Sequence, residues 1–456
     1  MAKTYNSYKD SGVEWIGEIP EGWEVLALKR IFKIIAGATP KSENEAYWDG
    51  DIAWITPADY KTEQKYVSFG RRNLSEQGYH ACSTVLLPKG SIVFSKRAPI
   101  GLVAITEREL CTNQGCLGCV PIRDVSNVFM YYLLSVYTEQ FELYGSGTTF
   151  KEISANNFAN FKLMLPPLSE QQSIASFLDT KCGEIDSLIS LQEEMISELQ
   201  AYKQSVITEA VTKGLDPNAK MNCCASREKN DACISSSETQ PAIERKFKDS
   251  GVEWIGEIPE KWSKDKVFRV FANIGSGTTP KATEDSNFEG EINWIQSGDI
   301  NGSIMNSCKN KISQQVLNKY SALKIYKAPF IIVAMYGASV GNISVSMIDG
   351  CVNQACCVMS DSVHYFDYLF YAIKSAKDYL IYRAEGGGQP NISQDKLKNL
   401  WLPIPPLSEQ QAIASYLDAK TSQIDSLISL KQQKIDELKS YKKSIIYEYV
   451  TGKKRV

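Results

Sequence analysis

Residues 9–21 of this chain, KDSGVEWIGEIPE, return unchanged at 248–260. Whatever the first copy builds, the second must build again. The offset of 239 residues becomes 240 through Thr39-Pro40-Lys41 against Thr279-Pro280-Lys281, Trp54-Ile55 against Trp294-Ile295, and Asn113-Gln114 against Asn353-Gln354. It reverts to 239 for PPLSEQQ (166–172 and 405–411), Leu178-Asp179 against Leu417-Asp418, and IDSLISL (185–191 and 424–430). That period is far too long for a solenoid unit, so it marks a duplicated domain with a trailing segment. The length of 456 residues agrees, since one compact core serves roughly 100–200 residues.

Each copy divides in two. Short β-rich runs such as GSIVFSK (90–96) and APFIIVAMY (328–336), with helical patches at FMYYLLSVY (129–137) and FDYLFYAIKSA (366–376), predict an α+β globule. The second part opens on Pro-Pro, followed by Ser169 with Gln172 or Ser408 with Gln411, the Ser-x-x-Gln pattern of a capping box. A helix of about 40 residues is expected after it, roughly 60 Å long. Its packing stripe reads as Ile185, Leu188, Met195, Leu199, Tyr202 and Val206 in the first copy. In the second it reads as Ile424, Leu427, Ile435, Leu438, Tyr441 and Ile445. Each stripe needs a cover, and the other helix is the economical one, giving an antiparallel coiled-coil pair with internal pseudo-two-fold symmetry. Polar Gln192 and Lys431 interrupt the stripes, which either fixes register or marks a solvated patch.

The expected division is a first recognition domain over 1–165, a long helix over 166–214, a flexible linker over 215–246, a second recognition domain over 247–404, and a second long helix over 405–456. The linker shows no apolar period.

Composition excludes several functions. A net charge of -3 argues against indiscriminate coating of nucleic acid, though not against local basic faces. Two histidines leave little material for histidine catalysis or zinc ligation, and twelve cysteines without an export signal read as reduced thiols. No run of about 20 apolar residues spans a bilayer. The cytoplasm is the expected compartment, with no membrane partner.

The doubled pattern KDSGVEWIGEIPE, TPK, WI and NQ, then a Gly-rich stretch before Ile-Ser (GSGTTFKEIS, 145–154; GGGQPNISQ, 386–394), then PPLSEQQ running into a long helix, resembles the specificity subunit of type I restriction-modification enzymes over nearly the whole chain. The resemblance implies two tandem α/β target-recognition domains, each reading one half of a bipartite DNA site, with the helix pair as spacer. It also implies docking of two methyltransferase subunits and two restriction/translocase subunits. S-adenosylmethionine, ATP and Mg belong to those partners, and the chain itself carries no catalysis. A free-standing bivalent DNA-binding or scaffold protein is the rival reading.

Enzyme motifs fail on inspection. Pro166-Pro167 lies between Leu165 and Leu168, so no Asn/Asp-Pro-Pro-aromatic methyltransferase loop forms. Gly277-Thr278-Thr279-Pro280-Lys281 lacks the second glycine and the hydroxyl of a phosphate-binding loop. Asp59, Glu63 and Lys65 mimic a nuclease set that the second copy does not repeat, and Cys111, Cys116 and Cys119 face Met359 in place of the last cysteine. For DNA contact the candidates are Lys41 and Lys281 after their Thr-Pro turns, and Arg71, Arg72, Lys96, Arg97, Lys309 and Lys311 in stretches that differ between copies. Thr148, Thr149, Lys151, Gln389 and Asn391 flank the Gly-rich stretches. Asn113-Gln114 and Asn353-Gln354 recur in both copies and are expected to tie backbone rather than read bases.

Overall fold

The computed structural model describes residues 4–61, 64–146, 151–215, 245–281, 288–337, 339–384 and 391–456. The core of the expected linker, 216–244, lies outside the described residues, as do Glu63, Thr148, Thr149 and Gln389.

Both copies build the same strands in the same order. An antiparallel hairpin of Tyr8–Asp10 and Glu18–Pro20 opens the first copy; Phe247–Asp249 with Glu257–Pro259 repeats it. Apolar strands then form a five-stranded mixed sheet in the order Phe32–Ala36, Cys116–Pro121, Ile92–Lys96, Ile100–Thr106, Tyr66–Val67. Only the last neighbour is parallel. The second copy repeats the order with Asn273–Gly275, Cys356–Ser360, Phe330–Ala334, Ile343–Ser346 and Ile304–Met305.

A smaller sheet stands beside each large one: Cys111–Thr112, Trp48–Ile55 and Arg72–Leu74 in the first copy, and Cys351–Val352, Ile292–Ile295 and Asn310–Ile312 in the second. Each has a core of its own. Trp48, Trp54, Leu74 and Cys111 cluster in one, and Trp294, Ile312, Val316, Leu323 and Cys351 in the other.

The compact units do not follow the sequence copies. One comprises residues 1–194 with 431–456, the other 195–430. The reason is the two long helices, Leu168–Lys213 and Leu407–Val450, of 46 and 44 residues. The end of each is buried in the unit of the other copy. In the second unit Val206, Ile207, Ala210 and Val211 of the first helix join the core around Trp262. In the first unit Gly452, just past the second helix, lies so close to Pro20 and Trp23 that an added Cβ would fall 2.6 Å from the proline. Gly214 and Gly452 both hold the left-handed backbone that ends a helix, with φ of 75° and 73°.

The helices run antiparallel. Within the first unit the ring of Phe177 lies 4.5 Å from that of Tyr449, Lys442 meets Asp186 at 2.7 Å, and Lys431 meets Gln192 at 3.3 Å. Within the second, Lys203 meets Asp425 at 2.6 Å. The last pair is the Lys442–Asp186 contact with the copies exchanged, as a two-fold pairing requires.

The covered face repeats at alternating steps of four and three. It comprises Leu178, Cys182, Ile185, Ile189, Gln192, Ile196, Leu199, Lys203, Val206 and Ala210 on one helix. On the other it comprises Leu417, Thr421, Ile424, Ile428, Lys431, Ile435, Leu438, Lys442, Ile445 and Tyr449. Of the residues expected there, Ile185, Val206, Ile424, Ile435 and Ile445 are buried, and Leu199 and Leu438 are half-buried. The remaining five are corrected. Leu188, Met195, Tyr202, Leu427 and Tyr441 are 47, 36, 49, 48 and 57% exposed. Each lies one residue before a face position, and one residue is about 100° of helix rotation.

The helix starts also differ from the expected capping box. The first helix begins at Leu168, and the amides of Glu170 and Gln171 donate to the carbonyl of Pro167 at 2.9 and 3.0 Å. Ser169 therefore lies inside the first turn, and Pro167 takes the capping position. Ser408 has the same place in the second copy, where Glu409 and Gln410 donate to Pro406. Among the described residues no helix is long and apolar enough to cross a membrane.

Candidate nucleic-acid interface

The loop that carries Lys41 is a built framework. Trp54 is buried, and its Nε1 donates to the carbonyl of Ala38 at 3.0 Å, while Thr39 bonds to Gln114. Gly37 leaves no room for a side chain, because a Cβ there would stand 2.2 Å from the carbonyl oxygen of Thr112. The second copy repeats this with Trp294 donating to Thr278 at 3.2 Å and Thr279 bonded to Gln354. Asn113 and Asn353 accept the amides of Gly115 and Ala355 at 2.9 and 3.1 Å, so the asparagines hold backbone while the glutamines bond to threonine side chains. Lys41 and Lys281 are both exposed at the ends of these fixed loops. The amide of Lys281 also donates to the Tyr320 hydroxyl at 3.2 Å.

Four of the differing basic residues, Arg71, Arg72, Lys309 and Lys311, fall on one equivalent strand or on the residue just before it. In the small sheets Trp54 is opposite Arg72, and Trp294 is opposite Asn310. Arg71 thereby takes the place of Lys309, and Asn73 that of Lys311. This strand is at the sheet edge in both copies, and Arg71, Arg72, Lys309 and Lys311 are exposed. Arg71 donates to the Ala58 carbonyl at 3.1 Å and lies 3.7 Å from Asp59; the Arg72 guanidinium stacks 4.0 Å from the Trp48 ring. The two arginines are thus oriented, an arrangement suited to planar recognition of bases or phosphates.

A second cluster surrounds the turn after Ile92–Lys96. Glu152 pairs with Lys96 at 2.7 Å and with Arg97 at 3.4 Å. The hydrogen bond from Lys96 is the main cause holding the Glu152 carboxyl below its usual range. Lys151 beside it is exposed. The amide of Ile153 donates to the Lys96 carbonyl at 3.0 Å, and that of Ile392 to the Met335 carbonyl at 2.7 Å. The turn therefore carries Lys96-Arg97 in one copy and Met335-Tyr336 in the other, with exposed Asn391 beside Ile392. Lys96 and Arg97 are engaged by Glu152, which makes them less available than Lys151.

Of the nuclease-like set, the two described members, Asp59 and Lys65, are each engaged elsewhere. Asp59 accepts the amide and hydroxyl of Thr56 at 2.8 and 2.7 Å, as Asp299 accepts the Gln296 amide at 2.9 Å, and Lys65 pairs with Asp179 on the long helix. The cysteines are packing residues. Burial pushes the Cys111 thiol up to about 11 and Cys116 to about 12, and raises Cys119, whose counterpart Met359 occupies the same buried register.

Four framework residues escaped the sequence reading. Trp23 donates to Glu170 at 3.2 Å and Trp262 to Glu409 at 2.9 Å, pinning each opening segment to its own copy's helix start. Gln171 donates to the Pro166 carbonyl at 2.8 Å and accepts the Ser126 amide at 2.9 Å; Gln410 does the same with Pro405 and Tyr365, both at 2.8 Å. The doubled PPLSEQQ was their available signal.

A sequence profile described as "Type I restriction modification DNA specificity domain" matches residues 20–201 and again 259–440. The chain is 27% identical over 400 residues to the type I restriction enzyme MjaIX specificity subunit of Methanocaldococcus jannaschii, spanning 86% of this chain and 85% of that protein. It is 23% identical over 355 residues to the type I restriction enzyme EcoBI specificity subunit of Escherichia coli, 75% of this chain and 70% of that one. A solved chain from a study of complex assembly and conformational transition of the type I R-M system matches with a TM-score of 0.66 at 18% identity. That match covers 95% of this chain and 98% of the other, and is a likeness of fold.

Proposed function

We propose that this chain, which belongs to the type I restriction modification DNA specificity family, is the DNA specificity subunit of a type I restriction-modification complex. Each recognition domain reads one half of an asymmetric bipartite site. The observation that carries this is the edge strand: one framework, built twice, presents Arg71-Arg72 in one copy and Lys309 with Lys311 in the other. Unlike readers on like frames call for unlike half-sites. The reading residues are Lys41, Arg71, Arg72, Lys151, Lys281, Lys309, Lys311 and Asn391, with Lys96 and Arg97 in support.

The helix pair spaces the half-sites and docks the methyltransferase subunits. Leu188 and Leu191 on one helix, and their counterparts Leu427 and Leu430 on the other, are 47, 48, 48 and 62% exposed. An apolar strip that recurs on both helices suits two copies of one partner. Those subunits supply methyl transfer from S-adenosylmethionine, and two restriction subunits supply ATP- and Mg-dependent translocation and cleavage. The cell interior is the site of action.

Replacing residues 22–160 with another recognition domain, in cells that also make the methyltransferase subunit, tests the modular reading. Genome-wide mapping of methylated sites should show one half of the target changed and the other half and the gap retained. Loss of both halves together, or a map that does not depend on the chain, would sink the proposal.

A further inference from the structure

The ten covered positions of one helix match the ten of the other at an offset of 239, and only one substitution among them changes charge: Gln192 against Lys431. These two meet each other, at 3.3 Å and 239 residues apart in sequence. A contact between equivalent positions is the one place in an antiparallel seam where a residue faces its own counterpart. Every other rung is exchanged, as Lys203–Asp425 is with Lys442–Asp186.

We propose that the Gln192–Lys431 rung is a partner-selection device, which lets the seam of the first copy pair with itself but forbids that of the second copy from doing so. The inference stands on the seam alone and not on what the domains bind. In a first-with-first pairing the outer rungs become Lys203–Asp186 twice and the centre Gln192–Gln192, all compatible. In a second-with-second pairing the outer rungs become Lys442–Asp425 twice, equally compatible, but the centre becomes Lys431–Lys431. Two ammonium groups then face each other across a partly covered seam, where like charge is penalised most. Five hydrophobic positions do not discriminate, since Leu178/Leu417, Ile185/Ile424, Ile189/Ile428, Ile196/Ile435 and Leu199/Leu438 are identical between copies. Three further positions differ without a change of charge: Cys182/Thr421, Val206/Ile445 and Ala210/Tyr449, the last of which sets an aromatic ring on Phe177 where the other helix has a methyl group. The partner assigned to the first copy's half is thus a second copy of the same half, and the second half is left dependent on the first.

The test uses the full chain with a protease site placed within 216–244, folded first and then cut. Cut protein is diluted, reconcentrated and weighed by native mass spectrometry, which separates the three possible pairings by mass. Wild type should give the mixed pair and the first-with-first pair, with the second-with-second pair at least about ten-fold rarer. Lys431→Gln should bring the second-with-second pair up to the level of first-with-first. Gln192→Glu should remove first-with-first, by setting two carboxylates together, and leave the mixed pair. Equal amounts of both self-pairs in wild type, or no gain of second-with-second in Lys431→Gln, would overturn the proposal. Halves that never exchange partners would overturn it too, because the seam would then select nothing.

Discussion

Tyr371 donates its phenol hydroxyl to the carboxylate of Asp418 at 2.7 Å. The same bond joins Tyr132 to Asp179 at 2.7 Å, so each recognition domain is fastened to its own copy's long helix by a buried phenol on an aspartate. Burial holds both phenols well above their usual range, which keeps the hydroxyl proton in place at any physiological pH. Both aspartates are exposed and can be rehydrated. Tyr371→Phe or Tyr132→Phe is therefore expected to lower unfolding free energy by about 1 kcal/mol rather than by a full desolvation penalty. Urea denaturation followed by circular dichroism measures it, and the methylation map should be unchanged.

The helix seam separates two residues that hydropathy ranks alike. Ile435 is 1% exposed and Leu188 47%. Ile435→Ala should cost about 2–5 kcal/mol, by lost burial plus the cavity left behind, and Leu188→Ala less than about 0.5 kcal/mol. Equal losses in chemical denaturation would put the covered face where the apolar residues alone suggest it.

This pair also shows what was legible in the sequence. The duplication, the two α+β globules and the long helices followed from the repeat and its apolar periods. The seam was read partly one residue out of phase, because Leu188 and Tyr202 are apolar while Lys203 and Lys442, which occupy the covered face, are not. Long methylene stems let lysine lie along a seam and reach Asp425 or Asp186 with its ammonium group. The doubled PPLSEQQ marks Glu170 and Gln171 as shared between copies but not whom they hold: their partners Trp23 and Ser126 are 147 and 45 residues away, and no local rule spans that distance. Among the candidate DNA contacts, residue type and divergence between copies singled out Arg71, Arg72, Lys309 and Lys311, whereas their place at a sheet edge and the engagement of Lys96 and Arg97 by Glu152 needed the fold.

Lys374 gives a pH prediction. Its ammonium group is largely buried, donates to the Gly302 carbonyl at 3.2 Å, and is pulled down to about 8, first by desolvation and then by the charge of Lys203. A lysine in the unfolded chain titrates near 10.4. Between those values the unfolded state binds more protons, so stability contributed at this site rises with pH. Below about 8 both states are charged and the burial penalty is fully present. Lys374→Met should therefore be more stable than wild type at pH 7, with the gain shrinking as pH climbs toward 10. Paired urea titrations across that range measure the difference, and a gain independent of pH would remove the charge from the explanation.

The edge strands provide the sharpest test of reading. Arg72 is oriented by Trp48, and Lys309 is exposed just before the equivalent strand of the other copy. If they read bases, Arg72→Ala should weaken discrimination at one or two positions of one half-site by about ten-fold or more, and Lys309→Ala should do so only in the other half. If they hold phosphates, each substitution should weaken binding evenly across sequences and lower the salt dependence by about one ion. Binding of the assembled methyltransferase complex to duplexes with single-position changes, at several salt concentrations, separates the two. A substitution on one edge strand that alters both half-sites alike would contradict the assignment of one half-site to each domain.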